Sequence, residues 1–241
     1  MAAAKKLAWL AAVALCGCLA PRLRAEDINV TGHVVLDGAA HISPANSTVV
    51  WLTPIGGDPN SAATVTPMHA VLRQKNKAFE PHLLVVTKGS TVDFPNLDPW
   101  FHNVFSLFNG KRFDLGLYEA GTTRAVHFDR EGVSYIFCNI HPEMSAVVVV
   151  LPSEYFATPD KQGEFSIASV PAGRYTLHVW NEHALPEALQ ALSRAVDVSP
   201  TSHAVGTIHV HVTTAPTQHK NKYGQDYEPP SPNNPVYVQP Q

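Results

Sequence analysis

Almost every apolar stretch of this chain is short, alternates with polar residues and stops at a turn residue. In "GEFSIASVPAGRYTLHVW", Phe165 and Ile167 share one strand face, and Tyr175, Leu177 and Val179 share a face of the next strand. Pro171-Ala172-Gly173 supplies the turn between them. "NVTGHVVLDG" places Val30, Val34 and Leu36 on one side and halts at Asp37-Gly38, and "STVVWLTP" halts at Pro54. "HLLVVTKGSTVDFPN" reads as two strands around Lys88-Gly89. "TTRAVHFDREGVSYIFCNI" reads as strand, turn at Glu131-Gly132, and a strand ending at Cys138. "MSAVVVVLP" reads as a buried strand. A period of two sustained in this way specifies an all-β chain, because a helix would need a period near 3.6. The single helix candidate is "LPEALQALSRAV", with Pro186 suited to a first turn. With 241 residues there is room for one or two domains, and 20 prolines and 14 glycines fit a fold rich in turns.

The N-terminus reads as an export leader. Lys5 and Lys6 precede the apolar run Leu7–Leu19, which is too short to span a bilayer well. Cleavage after Ala25 would give a soluble export product. Alternatively, "LCGC" resembles a bacterial lipobox, which would make Cys18 a lipidated terminus and the only link to a membrane. The expected location is therefore the periplasm or the cell surface. Removing the leader takes away Lys5, Lys6, Arg22 and Arg24 and no acid, so a formal charge of −3 becomes more acidic still. That balance argues against a nucleic-acid partner. It also takes away Cys16 and Cys18 and leaves Cys138 alone. A lone thiol in an oxidising compartment is either buried or used.

The neighbours of Cys138 bear on which. "YIFCNIHPEM" sets His141 three residues and Met144 six residues after it, where one strand ends and the next begins. Upstream, "FPNLDPWFHNVFS" presents His102 just beyond a strand end. A thiolate, two imidazoles and a thioether suit copper in both oxidation states, since Cu(I) prefers sulfur and Cu(II) prefers nitrogen. Structural zinc would need four Cys or His ligands and does not use Met. A nucleophilic cysteine would need a base and an orienting group around a cleft, and His141 on the same tight loop is poorly placed for that. No second cysteine lies near Cys138 for a binuclear centre, and there is no further histidine cluster for a copper enzyme, so no enzymatic activity is expected.

Two resemblances follow. The segments "TGHVVLDG", "STVVWLTP" and "GEFSIASVPAGRYTLHV" resemble the carboxypeptidase-regulatory-like, or transthyretin-like, β-sandwich. The stretch between them resembles a cupredoxin, the blue-copper fold of plastocyanin, azurin and amicyanin. "YIFCNIHPEM" is similar to that family's ligand loop and "FHNVFS" to its first-ligand segment. The region also resembles exported plastocyanin-like proteins labelled methylamine-utilisation proteins. The resemblance implies one type 1 copper site with His102, Cys138, His141 and Met144 as ligands, Met144 being the axial one. It implies that Asn103 ties the two ligand segments together by hydrogen bonding and that electrons pass through the edge of His141. Glu143 departs from the apolar residue that would suit a dry docking patch.

The expected organisation is a signal peptide over 1–25, the first part of the regulatory-like sandwich over 26–56, a cupredoxin domain over 57–152, the second part of the sandwich over 153–213, and a disordered Pro-rich tail over 214–241. Two consecutive independent domains are the alternative to an insertion. The expected function is single-electron transfer between periplasmic redox partners, such as a c-type cytochrome or a quinoprotein dehydrogenase. The alternative is a non-redox copper carrier or sensor, or a surface interaction protein that uses the sandwich. Other features read more plainly. His82 is an ordinary strand histidine or an extra group at the site. His209 and His211 share an exposed strand face or bind metal weakly. Trp100 and Phe101 pack a loop, shield the site or form a docking surface. "NVT" and "NST" match a glycosylation pattern.

Overall fold

A computed structural model of the chain describes residues 27–38, 42–56, 65–107, 110–213 and 220–227. The leader with Cys16 and Cys18, most of the loop after Pro54, and the tail apart from 220–227 lie outside the described residues. The chain opens with β1 (Ile28–Asp37), a 3-10 turn at Pro44–Asn46 and β2 (Thr48–Pro54). Short strands follow: β3 (His69–Val71), β4 (Arg73–Lys75), β5 (Ala78–Glu80), β6 (Leu83–Thr87), β7 (Ser90–Pro95) and β8 (His102–Ser106). Next come β9 (Phe113–Tyr118), β10 (Thr123–Phe128), β11 (Gly132–Phe137) and β12 (Ser145–Leu151). The C-terminal part adds β13 (Phe156–Ala157), β14 (Glu164–Val170), β15 (Gly173–Asn181), α1 (Pro186–Ala191), β16 (Arg194–Val198) and β17 (Ala204–His211). The fold is all-β.

Two pairs of sheets build it. A three-stranded sheet of order β14-β1-β17 faces a four-stranded sheet of order β13-β2-β15-β16. Val30, Val34 and Ile208 from the first interlock with Leu52 and Leu177 from the second. The strands flanking Pro171 therefore do not form a hairpin. β14 pairs with β1, while β15 pairs with β2 and β16, so the turn carries the chain across the core. The second pair is a sheet of order β10-β7-β3 and a five-stranded sheet of order β6-β12-β11-β8-β9. Phe94, Phe128, Val104, Ile136 and Val148 fill the space between these two. The chain leaves the first pair of sheets after β2 and returns at β13, where Phe156 sits opposite Trp51.

The five-stranded sheet is covered on both sides. Val148 and Val150 of β12 face the core that holds Phe94. Val147, Val149 and Leu151 face the other way, onto Val49 and the half-buried Trp51 and Trp180 of the four-stranded sheet. This explains why "SAVVVVL" is continuously apolar instead of alternating: a strand buried on both faces has no polar side to show. Each of these valines contributes about 1.5–3 kcal/mol by leaving water.

The helix is shorter than the sequence reading expects. Pro186 opens it and Leu189 is its buried residue, but it ends at Ala191, and Arg194–Val198 form the edge strand β16 against β15. The apolar spacing of "LPEALQALSRAV" fits both states, and the free edge of β15 decides for strand in its second half. The tail also departs from expectation, because residues 220–227 fold back onto the loop after β11.

Candidate metal centre

β8 opens on His102, next to β11 in the sheet, with Phe105 opposite Phe137. Cys138 follows directly after β11, and Ser145 begins β12. The loop between them is closed by its own backbone. The N–H of Cys138 donates to the Met144 carbonyl at 3.2 Å, and the N–H of Met144 donates to the His141 carbonyl at 3.1 Å. This tight turn, between two strands paired in fixed register, carries Cys138, His141 and Met144 to the end of the core where His102 lies.

All four side chains are buried. His102 Nδ1 and His141 Nδ1 are 3.1 Å apart, Cys138 Sγ is 3.6 Å from His141 Nδ1, and it is 3.9 Å from His102 Nδ1. A triangle with these sides has one point equidistant from its corners, about 2.1 Å from each, which matches metal–nitrogen and metal–sulfur bonds of about 2.0–2.3 Å. The donors present therefore fit a small, borderline-soft metal ion. Among the described residues this is the one group of three or more His, Cys, Asp or Glu side chains close enough to share an ion. Met144 lies in the same apolar cluster as Cys138 and offers the remaining sulfur.

The electrostatics suit a metal that needs neutral rings. Burial and the neighbouring His102 ring push His141 down to about 4. Burial lowers His102 as well, against the pull of Asp98. Burial raises the Cys138 thiol, while the backbone N–H groups of Asn103, Ile140 and His141 directed at its sulfur oppose that rise. Near neutral pH the metal-free site thus holds two neutral imidazoles and a thiol, so metal binding has one proton to displace, from sulfur.

Around this set the structure adds groups that the sequence reading passed over. Asp98, itself buried, accepts from His102 Nε2 at 2.8 Å and from the N–H groups of Asn76 and Lys77 at 2.6 and 2.8 Å. Lys77 Nζ lies 5.0 Å above the Trp100 ring, which is half-buried, whereas Phe101 is exposed. From the tail, the Tyr227 hydroxyl donates to the Cys138 carbonyl at 2.7 Å and the Lys222 N–H donates to Asn139 Oδ1 at 2.9 Å. Lys222 Nζ pairs with Asp114 at 2.8 Å, and Asp114 in turn accepts from Asn103 Nδ2 at 2.7 Å. The side chain of Asn103 thus reaches β9, while its backbone N–H, directed at the Cys138 sulfur, links the two ligand segments. A motif search finds none of this, since the pattern at 138–144 says nothing about Asp98 or Tyr227.

The remaining histidines lie elsewhere. His82 bonds Glu182 at 2.6 Å and the Ser145 carbonyl at 3.2 Å, bridging the two pairs of sheets and not joining the site. His209 pairs with Asp37 at 3.2 Å on an exposed face.

No family model matches the chain, and no curated protein matches it. Solved structures do. A purple cupredoxin from Nitrosopumilus maritimus is 26% identical, with 34% of this chain and 99% of that one covered and a TM-score of 0.31. An amicyanin mutant in its reduced Cu(I) form is 24% identical, covering 42% and 98% at a TM-score of 0.33. A copper-containing nitrite reductase from Thermus scotoductus SA-01 is 20% identical, covering 49% of this chain at a TM-score of 0.34, and the chain spans only 28% of that enzyme.

Proposed function

We propose that this chain is an exported copper protein of the cupredoxin type that carries single electrons between periplasmic redox partners and is not itself an enzyme. One observation carries the reading: three buried donor atoms, His102 Nδ1, Cys138 Sγ and His141 Nδ1, surround a single point at metal-bond distance. A copper ion held there would supply reversible one-electron chemistry. Cys138 provides the thiolate, His102 and His141 the two nitrogens, and Met144 the weak axial sulfur. The chain's own part is to keep these donors in place. His102 is fixed by Asp98, the sulfur by three backbone N–H groups, and the loop by its two backbone hydrogen bonds. Little then has to move when charge changes. The apolar packing around Cys138 and Met144 excludes water from the sulfur donors.

In this reading residues 57–152 are the copper-binding domain, held within a regulatory-like sandwich built from 26–56 and 153–213, after a leader over 1–25. A c-type cytochrome or a quinoprotein dehydrogenase is the class of partner. The test is to add Cu(II) to the purified protein from Glu26 onward and record its visible spectrum. An intense thiolate-to-Cu(II) charge-transfer band, absent in Cys138→Ser, supports the assignment. A variant as coloured as its parent, or a parent that takes up no copper, rejects it. Copper that is bound as Cu(I) and handed intact to another protein, with no redox cycling, points to a carrier instead.

A further inference from the structure

His102 offers Nδ1 to the triangle, and its other nitrogen is engaged elsewhere. Nε2 lies 2.8 Å from Asp98 Oδ2, with both side chains out of contact with water. Asp98 is not a mobile partner. Its two oxygens accept from the backbone N–H groups of Asn76 and Lys77, the two residues at the tip of the β4–β5 hairpin. Both tip residues have a φ of 56°. That left-handed conformation is uncommon for residues other than glycine, and here it aims both N–H groups at one carboxylate. Asn96 Oδ1 accepts from the Asp98 N–H at 3.0 Å and fixes the backbone from below.

We infer that Asp98 is a positioning and tuning residue for the copper site: its anionic carboxylate dictates which nitrogen of His102 faces the metal and makes that nitrogen a stronger donor, which favours the oxidised ion. The inference rests on the copper reading above. A carboxylate drawing on Nε2–H raises the basicity of the opposite nitrogen and locks the ring plane. A stronger nitrogen donor stabilises Cu(II) more than Cu(I), because the reduced ion depends more on sulfur. The geometry also sets the metal-free state. With its proton on Nε2, His102 Nδ1 can only accept, so His141 Nδ1–H must donate across the 3.1 Å gap.

Two measurements test this. Nitrogen-15 NMR of the metal-free wild-type protein should show His102 protonated on Nε2 and bare on Nδ1. The opposite tautomer overturns the proposal without any variant being made. Asp98→Asn keeps the shape and removes the charge. It should retain the thiolate-to-Cu(II) band, bind Cu(II) about 10–100-fold more weakly, leave Cu(I) binding much less affected, and so raise the reduction potential; Asp98→Glu should recover part of the shift. A merely structural Asp98 would show lowered melting of the metal-free variant with the wild-type potential intact, and that result overturns the proposal. If Asp98→Asn does not fold, the wild-type tautomer still decides. A wild-type protein without the band is a failure of the copper reading itself and is recognised before any variant is compared.

Discussion

The two pairs of sheets solve the same packing problem and treat buried polarity in opposite ways. Between the sheets that hold β1 and β15, the interior is aliphatic and aromatic, and its buried polar groups satisfy one another. Asn181 Nδ2 donates to Ser47 and Thr48 at 3.2 and 2.9 Å, for example. Between the sheets that hold β7 and β11, one end of an equally apolar core carries Asn96, Asp98, His102, Cys138 and His141, all buried. A buried polar group without a partner costs about 1–3 kcal/mol. The first pair avoids that cost by using few such groups. The second sets Asn96, Asp98, His102 and His141 at one end, where hydrogen bonds link them in series. Apolar packing is thus spent on a frame in one region and on holding donors in the other.

Several expected outcomes would break or sharpen this contrast. The largest effect is Cys138→Ser, which should abolish the charge-transfer band, while His209→Ala combined with His211→Ala should leave copper stoichiometry at one; equilibrium dialysis with metal analysis distinguishes the two. Next, Leu177→Ala should cost about 2–5 kcal/mol in denaturant unfolding and leave the visible spectrum unaltered. A changed spectrum would mean that the frame and the site are not separable.

Third, the site and the junction between the two regions should respond oppositely to pH. His141 is depressed from 6.5 to about 4 in the folded protein, so the unfolded chain takes up a proton first as pH falls. The metal-free protein should therefore lose stability between about pH 6.5 and 4, and His141→Phe should flatten that slope. At the junction, His82 is raised above 6.5, chiefly by its hydrogen bond to Glu182. Its contribution is fully present below pH 6.5 and is lost as pH rises through its folded value. His82→Gln should thus lower the melting temperature more at pH 5.5 than at pH 8; an equal loss at both would remove the ion pair from the account. The smallest effect is Tyr227→Phe, which removes one hydrogen bond to the Cys138 carbonyl and should cost about 0.5–1.5 kcal/mol, with faster release of copper to a chelator.

Strand alternation made the β character legible, because Phe165, Ile167, Leu177 and Val179 occupy the faces that their spacing assigns. Cys138 and His141 lie close together as their three-residue spacing suggests, and His102, which entered the ligand set through the resemblance, lies beside them. Asp98 was not legible. In "NLDPW" it reads as a turn residue before proline, and its role appears only when Asn76 and Lys77, 22 and 21 residues upstream, arrive at the tip of their hairpin. The tail contacts were hidden for another reason: a polar, proline-rich composition argues against a packed element but does not forbid a few anchored residues such as Lys222 and Tyr227. The edge strand β16 was hidden because local spacing cannot report an open edge supplied by β15.

The early departure and late return of the chain also impose an order in time. β1 cannot be flanked until β14 and β17 exist, since Val34 pairs with Ile208 and Thr31 with Ser166. During synthesis the first two strands must therefore wait, with their edges open, while everything from β3 to β12 is made. Closing so long a loop of loose chain is entropically costly and slow. A middle segment that has already condensed shortens it to the gap between Pro54 and Phe156, whose strands lie side by side. The loop that carries Cys138 is then assembled before the frame that surrounds it is finished, and β1 and β2 are the segments whose open edges most need protection until β13 to β17 are made.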